Sequence, residues 1–247
     1  MGKTLLKGMQ LLERLGASRE PMSITELAED LDLMQSNVHR LLQSLIQAGY
    51  VRQDPVTRRY RCTMRLWELG LRISDQLDLP GIAQPHMQAL VQESRETVQL
   101  GILDGTDVIY IYKIDSPQPI RSYTRVGSRA PAYCTGTGKV LLAHCENLEA
   151  ALPPKLIKHT PKTITTLAAL KRELLRVREQ GIAENISEWR EDVYGMGAPL
   201  YDATGHVTAS VGVSGLASRM EGSNAKRIRT LLKQTARDIS RDLGYRG

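Results

Sequence analysis

The stretch from Ser23 to Cys62 constrains the fold more than any other part of this chain, because its elements follow the order of a winged helix-turn-helix. A capping box at Ser23 and Glu26 precedes a short apolar-periodic segment, which predicts the first helix. A second amphipathic helix is expected over residues 35–48, with Gly49 ending it in the left-handed conformation. Two short alternating runs joined by a turn at Asp54 then predict a small hairpin, the wing.

The charge distribution in this stretch favours contact with double-stranded DNA. Between Leu33 and Arg65 there are six arginines and one acid, a local net charge of +5, whereas the preceding helix is acidic. An ordinary helical hairpin with a solvated face, the alternative, gives no reason for this separation. The residues expected to bind DNA are Gln35, Ser36, Asn37, His39 and Arg40 on the second helix, Arg58 and Arg59 on the wing, and Ser23 and Thr25 at the first helix.

The composition of the whole chain suits a nucleic-acid partner and indicates neither a metal nor a membrane. The 247 residues carry a formal net charge of +6. The three cysteines, Cys62, Cys134 and Cys145, show no metal-ligand spacing, and their odd number argues against a disulfide framework. There is no N-terminal signal pattern and no apolar run of about 18 residues. We therefore expect a cytoplasmic protein without disulfides, metal or cofactor.

The order of predicted elements divides the chain into a winged domain over residues 1–63, a linker helix over 64–80 and a second domain over 81–247, with the boundary at Pro80 and Gly81. Strands are expected over 97–103, 108–114, 120–126, 198–201 and 207–214, and helices over 82–96, 137–143, 166–180 and 221–243. The second domain therefore belongs to the α+β class, with an antiparallel sheet and helices that can enclose a pocket.

Apolar residues of the linker helix predict self-association. Leu66, Trp67 and Leu69 would leave an apolar patch on a monomer. One winged module also reads only half of a two-fold DNA site. We therefore expect a homodimer, built through the first helix of the chain and the linker helix.

A second basic cluster lies on the terminal helix, whose apolar residues show where it packs. Its members are Lys226, Arg227, Arg229, Lys233, Arg237 and Arg241. We interpret it as a solvated outer face, with a second DNA site as the alternative.

The segment "CTGTGK", residues 134–139, has features of an anion site at a helix start. Amide groups there lack intrahelical partners, and the helix dipole favours negative charge. Gly136 would let a ligand approach the backbone closely. The alternative is that Thr135 or Thr137 merely caps the helix. A phosphate-binding loop is excluded, because Tyr133 stands where its first glycine is needed.

Over almost its whole length the chain resembles the IclR family of bacterial transcription regulators. The resemblance rests on "SNVHRLLQSLIQAGYV" followed by "YRC", on "ETVQLGILDG", on "VIYIYKIDSPQPIRSYTRVGSRAPAYCTGTGKVLLA", on "GMGAPLYDATGHVTASVGVSG" and on "ARDISRDLGY". It implies a GAF-like α/β effector-binding domain after the winged helix-turn-helix. It also implies a regulator of a catabolic operon, expected to be a repressor, which senses a small organic acid and assembles as a dimer or a dimer of dimers.

The resemblance implies an effector site formed by Ala130, Ala132, Gly136, Thr137, Gly138, Asn185, Trp189, Gly195, Gly212 and Ser214. Two family positions that commonly hold Cys or Ser are glycines here, Gly195 and Gly212, and Asn185 replaces a common Asp. We therefore expect a ligand larger than a two- or three-carbon acid, such as a sugar acid or an aromatic acid. The alternatives are that Ser214 is a strand-end hydroxyl and Trp189 a core residue.

A rival interpretation makes the second domain an enzyme acting on a small carboxylate. The five histidines form no HxH or HxxxH spacing, and no GxSxG is present. Cys134, near Lys139 and His144, is the best candidate nucleophile, but a small buried cysteine is the simpler interpretation. We therefore expect a regulator without catalytic residues.

Overall fold

A computed structural model describes residues 3–77, 79–121 and 124–247 and separates the chain into two compact units, Met1–Leu77 and Asp78–Gly247. The first unit is a winged helix-turn-helix. Its elements are α1 (Lys3–Ala17), α2 (Ile24–Asp30), α3 (Gln35–Gln47), β1 (Val51–Gln53), β2 (Tyr60–Cys62) and α4 (Arg65–Leu77). Strands β1 and β2 pair antiparallel, and side chains from α1, α2, α3 and both strands form one core.

Local sequence signals set the ends of α2 and α3, as predicted. Ser23 Oγ accepts a hydrogen bond from the Glu26 amide at 3.2 Å, and the Ser23 amide donates to Glu26 Oε2 at 2.7 Å, so the capping box is confirmed. Gly49, at φ +79°, ends α3. The Gly49 amide donates to Ile46 O and the Tyr50 amide to Leu45 O, both at 2.9 Å, which is a Schellman motif.

The second unit is an α+β domain built on one six-stranded antiparallel sheet. Its helices are α5 (Leu79–Ser94), α6 (Gly136–His144), α7 (Leu167–Gln180) and α8 (Gly222–Asp242), with 3₁₀ turns at Ala132–Cys134 and Ala217–Arg219. Its strands are β3 (Thr97–Asp104), β4 (Asp107–Ile114), β5 (Arg129–Pro131), β6 (Ala183–Ile186), β7 (Val193–Tyr201) and β8 (Val207–Leu216). The strand order is β5-β4-β3-β8-β7-β6. This class and the antiparallel sheet were predicted.

Successive side chains of the central strands point to opposite faces of the sheet, and the two faces differ in composition. Val98, Met196 and Val213 pack in one core with α5 and α8. The intervening residues include Gln99, Gly195, Gly197, Gly212 and Ser214 and lie on the side of α6. A second core joins α6 and α7 to β4, β5 and β6. Small residues on the α6 side allow this helix to approach the sheet closely.

Three predictions of the element order were wrong. Pro80 and Gly81 do not form a break between two helices. Both lie in the first turn of α5, where proline costs no hydrogen bond. The third strand is β5, not 120–126; residues 122–123 of that run lie outside the described residues, and those flanking them are not strand. The short edge strand β6 was missed.

Within the described ranges, no helix is long and apolar enough to cross a membrane.

Candidate functional site

Helix α3 has one buried face and one exposed polar face, as its amphipathic sequence predicts. Val38, Leu41 and Leu42 are buried in the core of the first unit. The polar residues expected to bind DNA lie on the other face: Gln35, Ser36, His39 and Arg40 are exposed and Asn37 is half-buried. The first unit therefore presents a continuous row of hydrogen-bonding groups on a helix that is fixed from behind.

Two hydrogen bonds order this row. Gln35 Nε2 donates to Thr25 Oγ1 at 3.2 Å, which joins α3 to the start of α2. Arg40 Nη2 lies 3.5 Å from Asn37 Oδ1, a long bond one turn along α3. Thr25 therefore orients a side chain of α3, and Gln35 keeps its amide oxygen for another donor.

The wing is a tight turn that exposes its tip. Asp54 Oδ1 accepts hydrogen bonds from the amides of Val56 at 3.0 Å and Thr57 at 2.7 Å. These bonds, with that from the Thr57 amide the strongest, hold the pKa of the Asp54 carboxyl below its usual value. Val56 is 87% exposed, and Arg58 is exposed at φ +59°. The wing therefore carries a cation and an apolar side chain at its end.

Arg59 does not extend freely from the wing. Its Nη1 and Nη2 donate to the two carboxylate oxygens of Glu26 at 3.0 and 3.2 Å, and Nη1 also donates to Pro21 O at 2.9 Å. Hydrogen bonds from Ser23, and then from Arg59, lower the pKa of Glu26. This guanidinium therefore fastens the wing to α2, and its predicted contact with DNA stays a prediction.

In the second unit, a narrow pocket lies where the N-terminus of α6 meets the sheet. Six of the predicted effector residues line it: Gly136, Thr137, Asn185, Trp189, Gly195 and Ser214. Gln99, Tyr110, Thr124, Thr135, Val193 and Met196 complete the lining. The free volume is about 20 Å³, which is room for one water-sized group. A larger ligand therefore needs the lining to move. Of the six predicted residues in the lining, five are buried and Trp189 is half-buried, so Trp189 is the side chain most able to move.

The polar groups of this pocket are uncharged and largely buried. Gln99 Oε1 accepts hydrogen bonds from Ser214 Oγ at 3.0 Å and, more weakly, from Thr124 Oγ1 at 3.5 Å. The Thr137 hydroxyl is buried and makes no hydrogen bond of full geometry with a described residue. Burial raises the pKa of Tyr110 and the nearby Thr137 hydroxyl opposes that rise, so the two hydroxyl groups interact weakly. The pocket therefore holds a hydroxyl with unused hydrogen-bonding capacity.

The small size of Gly136 has a packing explanation, while its predicted contact with a ligand stays a prediction. A Cβ on Gly136 would lie 2.8 Å from the carbonyl carbon of Met196, so its small size lets α6 touch the backbone of β7. Thr135 caps the helix, since its Oγ1 accepts from the Gly138 amide at 3.2 Å. One amide of this turn is therefore already satisfied, as the alternative interpretation of the segment proposed.

Four predicted effector residues lie outside the pocket lining. Gly138 abuts Ala132, and both serve the contact between α6 and the preceding turn. Ala130 is 1% exposed and belongs to the core beneath α6 and α7. The space at Gly212 is filled by Thr137, whose Cγ2 would lie 2.5 Å from an added Cβ. Among Gly136, Gly195 and Gly212, Gly195 alone could carry a Cβ without a clash, because the added atom would lie 3.8 Å from Asn185 Nδ2, an ordinary contact distance.

Lys139 is buried beside the pocket, in an ion-pair network that anchors the loop between β6 and β7. Its Nζ lies 2.5 Å from Glu188 Oε1, 2.9 Å from Glu184 O and 3.5 Å from Glu173 Oε1. Burial raises the pKa of Glu188, and the Lys139 cation opposes that rise. The Glu188 amide donates to Asn185 Oδ1 at 2.7 Å. The network thereby fixes Asn185 and the loop that carries Trp189.

Sequence reasoning missed Gln99 and Tyr110 as pocket residues. The available signal was the single amide in the otherwise apolar run "TVQLGIL" of β3, since a buried polar side chain needs a partner.

The chemistry of catalysis does not fit the groups near the pocket. Burial raises the pKa of the Cys134 thiol to about 12, so it holds almost no thiolate at neutral pH. The Lys139 amine is committed to carboxylates. Across residues 3–77, 79–121 and 124–247, no group of His, Cys, Asp and Glu side chains could hold a metal ion.

Comparisons with known proteins agree with both units. Residues 4–55 match the IclR helix-turn-helix domain, and residues 72–241 match the C-terminal domain of bacterial transcriptional regulator IclR. The chain is 36% identical to the HTH-type transcriptional regulator KdgR of Escherichia coli over 98% of its length and 93% of that protein. It is 30% identical to the DNA-binding transcriptional repressor YiaJ of E. coli over 98% of its length and 88% of that protein.

A solved structure shows the same architecture. An IclR homologue from Microbacterium hydrocarbonoxydans, complexed with 4-hydroxybenzoate, superposes with a TM-score of 0.84 at 26% identity. The match covers 98% of this chain and 99% of that one.

Proposed function

Because this chain belongs to the IclR family of bacterial transcription regulators, we propose that it is a cytoplasmic repressor whose C-terminal unit binds a small organic acid. As a member of that family it is a DNA-binding regulator and not an enzyme. The repressor role is supported by the name of YiaJ, and the acid by the 4-hydroxybenzoate bound to the Microbacterium homologue. The observation that carries the proposal is a buried pocket of hydroxyl and amide groups in the same chain as a winged helix-turn-helix whose helix α3 exposes a polar face.

For DNA, we assign base contacts in the major groove to Gln35, Ser36, Asn37, His39 and Arg40. Arg58 is exposed at the wing and reaches a phosphate or the minor groove. Ser23, Thr25 and Arg59 act through the contacts that hold α2, α3 and the wing together.

This assignment is tested with a duplex selected from a random pool. Arg40→Ala should weaken binding by about 1–3 kcal/mol and change the preferred base at one position. Arg59→Ala should weaken all duplexes alike, and Arg172→Ala, which removes an exposed arginine from α7, should have no effect. Equal affinities of the Arg40→Ala and Arg172→Ala variants would contradict the assignment.

For the effector, we propose that the acid displaces Trp189 from its present position and binds against Gly195, with Thr137, Ser214 and Gln99 around its oxygens. The unused Thr137 hydroxyl favours this location. The described residues of the lining carry no cation, so we assign the carboxylate to hydroxyl and amide groups among them.

A thermal-shift screen with 4-hydroxybenzoate and gluconate shows whether the effector is an aromatic acid or a sugar acid. Binding is readily detected, because a ligand at 100 times its Kd adds about 2.7 kcal/mol to the free energy of unfolding. Gly195→Leu should abolish the shift by filling the pocket. Ser214→Ala should weaken binding by about 0.5–1.5 kcal/mol. A ligand that shifts the Gly195→Leu variant as much as the parent binds elsewhere.

We also propose that the protein is a homodimer, or a pair of dimers, formed through α1 and α4. Large apolar side chains are exposed on or beside both helices: Leu5 72%, Leu6 66%, Met9 50%, Met64 64%, Trp67 58% and Leu69 46%. In this proposal residues 1–63 read DNA, 64–80 link and 81–247 sense the effector. Sedimentation of the full chain at micromolar concentration tests it, and a monomer with and without DNA would refute it.

A further inference from the structure

A larger cavity than the effector pocket lies along the C-terminal half of α8, and we call it the α8 groove. Its volume is about 300 Å³, within the range of small-molecule sites. Ala198, Pro199 and Ala236 supply apolar surface. Tyr201 and Tyr245 stack with ring centroids 4.8 Å apart and an angle of 19° between their planes. The groove therefore offers a flat aromatic surface beside an apolar floor.

Three cations border the α8 groove, and no carboxylate side chain is among the lining residues. Lys233 Nζ donates to Gln180 O at 2.9 Å, which places its charge at the C-terminus of α7. Arg237 Nε donates to Lys233 O at 3.3 Å, which leaves both Nη groups for another acceptor. Arg241 forms an ion pair with Asp238, with 3.2 Å between Nη1 and Oδ1. Lys233 and Arg237 therefore have no carboxylate partner among the described residues, and their positive charge attracts an anion.

Two other cavities of similar volume lack this character. The cavity between α6 and α7, about 290 Å³, includes Glu146, and the one beneath the loop after α6, about 370 Å³, includes Glu149. The absence of an acidic side chain from the lining therefore distinguishes the α8 groove from both.

The groove follows an edge of the sheet that does not accept another strand. Strand β6 pairs with β7 only as far as Gly197, so no strand of the described residues pairs with residues 198–201 on that side. Pro199 has no amide hydrogen to offer, and the Tyr201 amide donates to Ser240 Oγ at 3.0 Å. A peptide cannot dock by strand addition here, which favours a small molecule.

We propose that the α8 groove is a second ligand site, separate from the effector pocket, for a small organic carboxylate with a flat apolar body. The carboxylate pairs with the Arg237 guanidinium, which offers two parallel N–H donors. The body lies beside the stacked tyrosine pair, on the alanine and proline surface. The cluster on α8 is thus more than a solvated face, while Lys226, exposed on the same helix, stays outside the site.

The experiment titrates the full chain, labelled with ¹⁵N-tyrosine, with 4-fluorobenzoate. Line broadening of the ¹⁹F signal gives the affinity, and the shifts of Tyr201 and Tyr245, assigned by Tyr→Phe substitution, give the location. Arg237→Gln should weaken binding about tenfold. Lys226→Gln, which removes the same charge from the same helix, should leave the affinity unchanged. Gly195→Leu, which fills the effector pocket, should also leave the Tyr201 and Tyr245 shifts unchanged.

Three results would overturn the proposal. One is no binding up to about 10 mM, since that corresponds to less than about 3 kcal/mol. Another is an equal loss in the Arg237→Gln and Lys226→Gln variants, which would indicate attraction by net charge alone. The third is disappearance of the Tyr201 and Tyr245 shifts in the Gly195→Leu variant, which would place the probe in the effector pocket. Thermal midpoints of all variants confirm that each is folded.

Discussion

Replacing Lys139 by methionine should destabilise the C-terminal unit strongly, although methionine keeps most of the apolar stem. The side chain of Lys139 is 1% exposed and that of Glu188 is 11% exposed. Without the cation, the Glu188 carboxylate is left buried, and its Oε2 already lacks a hydrogen-bond partner among the described residues. Removing one partner of a buried ion pair typically costs about 3–5 kcal/mol. We expect a loss in that range.

The pH dependence of this loss identifies its cause. Burial raises the folded-state pKa of Glu188 above its unfolded value near 4.5. A raised carboxyl pKa contributes stability that is present below the unfolded value and is lost as pH rises through the folded value. Without Lys139, only the weaker attraction of the Arg176 cation opposes this rise of the Glu188 pKa. The difference between parent and Lys139→Met should therefore be largest at neutral pH and shrink as the pH falls toward 4.5.

The assay is urea unfolding of the full chain in a Trp67→Phe background, where Trp189 alone reports on the C-terminal unit. Lys171→Met, which removes an exposed lysine from α7, is the matched control and should be neutral. The double variant Lys139→Met/Glu188→Gln should recover most of the loss, because neither partner is then charged. A loss under about 1 kcal/mol for Lys139→Met, or a double variant no more stable than the single one, would refute the reasoning.

Three further predictions concern packing, pH and assembly. Gly136→Ala would stabilise a free helix by about 0.5–1 kcal/mol, but here it should lower the free energy of unfolding by about 1–3 kcal/mol because the new methyl group meets the Met196 backbone. Gly195→Ala is the control and should be nearly neutral. Equal unfolding midpoints for the two variants would count against this packing. Hydrogen bonds from Ser23 lower the folded-state pKa of Glu26. This carboxylate therefore stabilises the winged unit at pH values above its unfolded pKa near 4.5, and the stabilisation is lost as the pH falls through the folded-state pKa. Glu26→Gln should reduce the fall of the thermal midpoint at acid pH, followed by Trp67 emission, and an unchanged fall would show that the capping box does not titrate. Trp67→Glu should convert the dimer to a monomer in sedimentation at micromolar concentration. Arg172→Ala, a substitution at an exposed position of α7, should leave the dimer intact. A dimeric Trp67→Glu protein would exclude α4 as the interface.

The parts of the fold that the sequence predicted depend on neighbouring residues. The capping box at Ser23 and the left-handed end of α3 at Gly49 each need only a few consecutive positions. Such signals act through backbone geometry and short hydrogen bonds, so no tertiary context is required.

The contacts that the sequence did not predict join distant parts of the chain. The size of Gly136 is explained by β7, some sixty residues away, and the space at Gly212 by Thr137. Gln99 and Tyr110 enter the pocket from β3 and β4, whose register the sequence does not reveal. Arg59 was counted toward DNA from local net charge, but its partner Glu26 lies on another element. Residue type indicated chemistry in these cases, but not which neighbour would use it.

The central claim is that an organic acid in the C-terminal unit controls DNA binding by the N-terminal unit. The direct test is the Kd of a selected duplex, measured by fluorescence anisotropy with and without a saturating acid from the thermal-shift screen. We predict a change of at least about fivefold for the parent chain, the lower end of typical allosteric coupling, and none for Gly195→Leu, which retains its affinity for the duplex. A parent chain that binds the acid but keeps the same Kd for the duplex would contradict the claim.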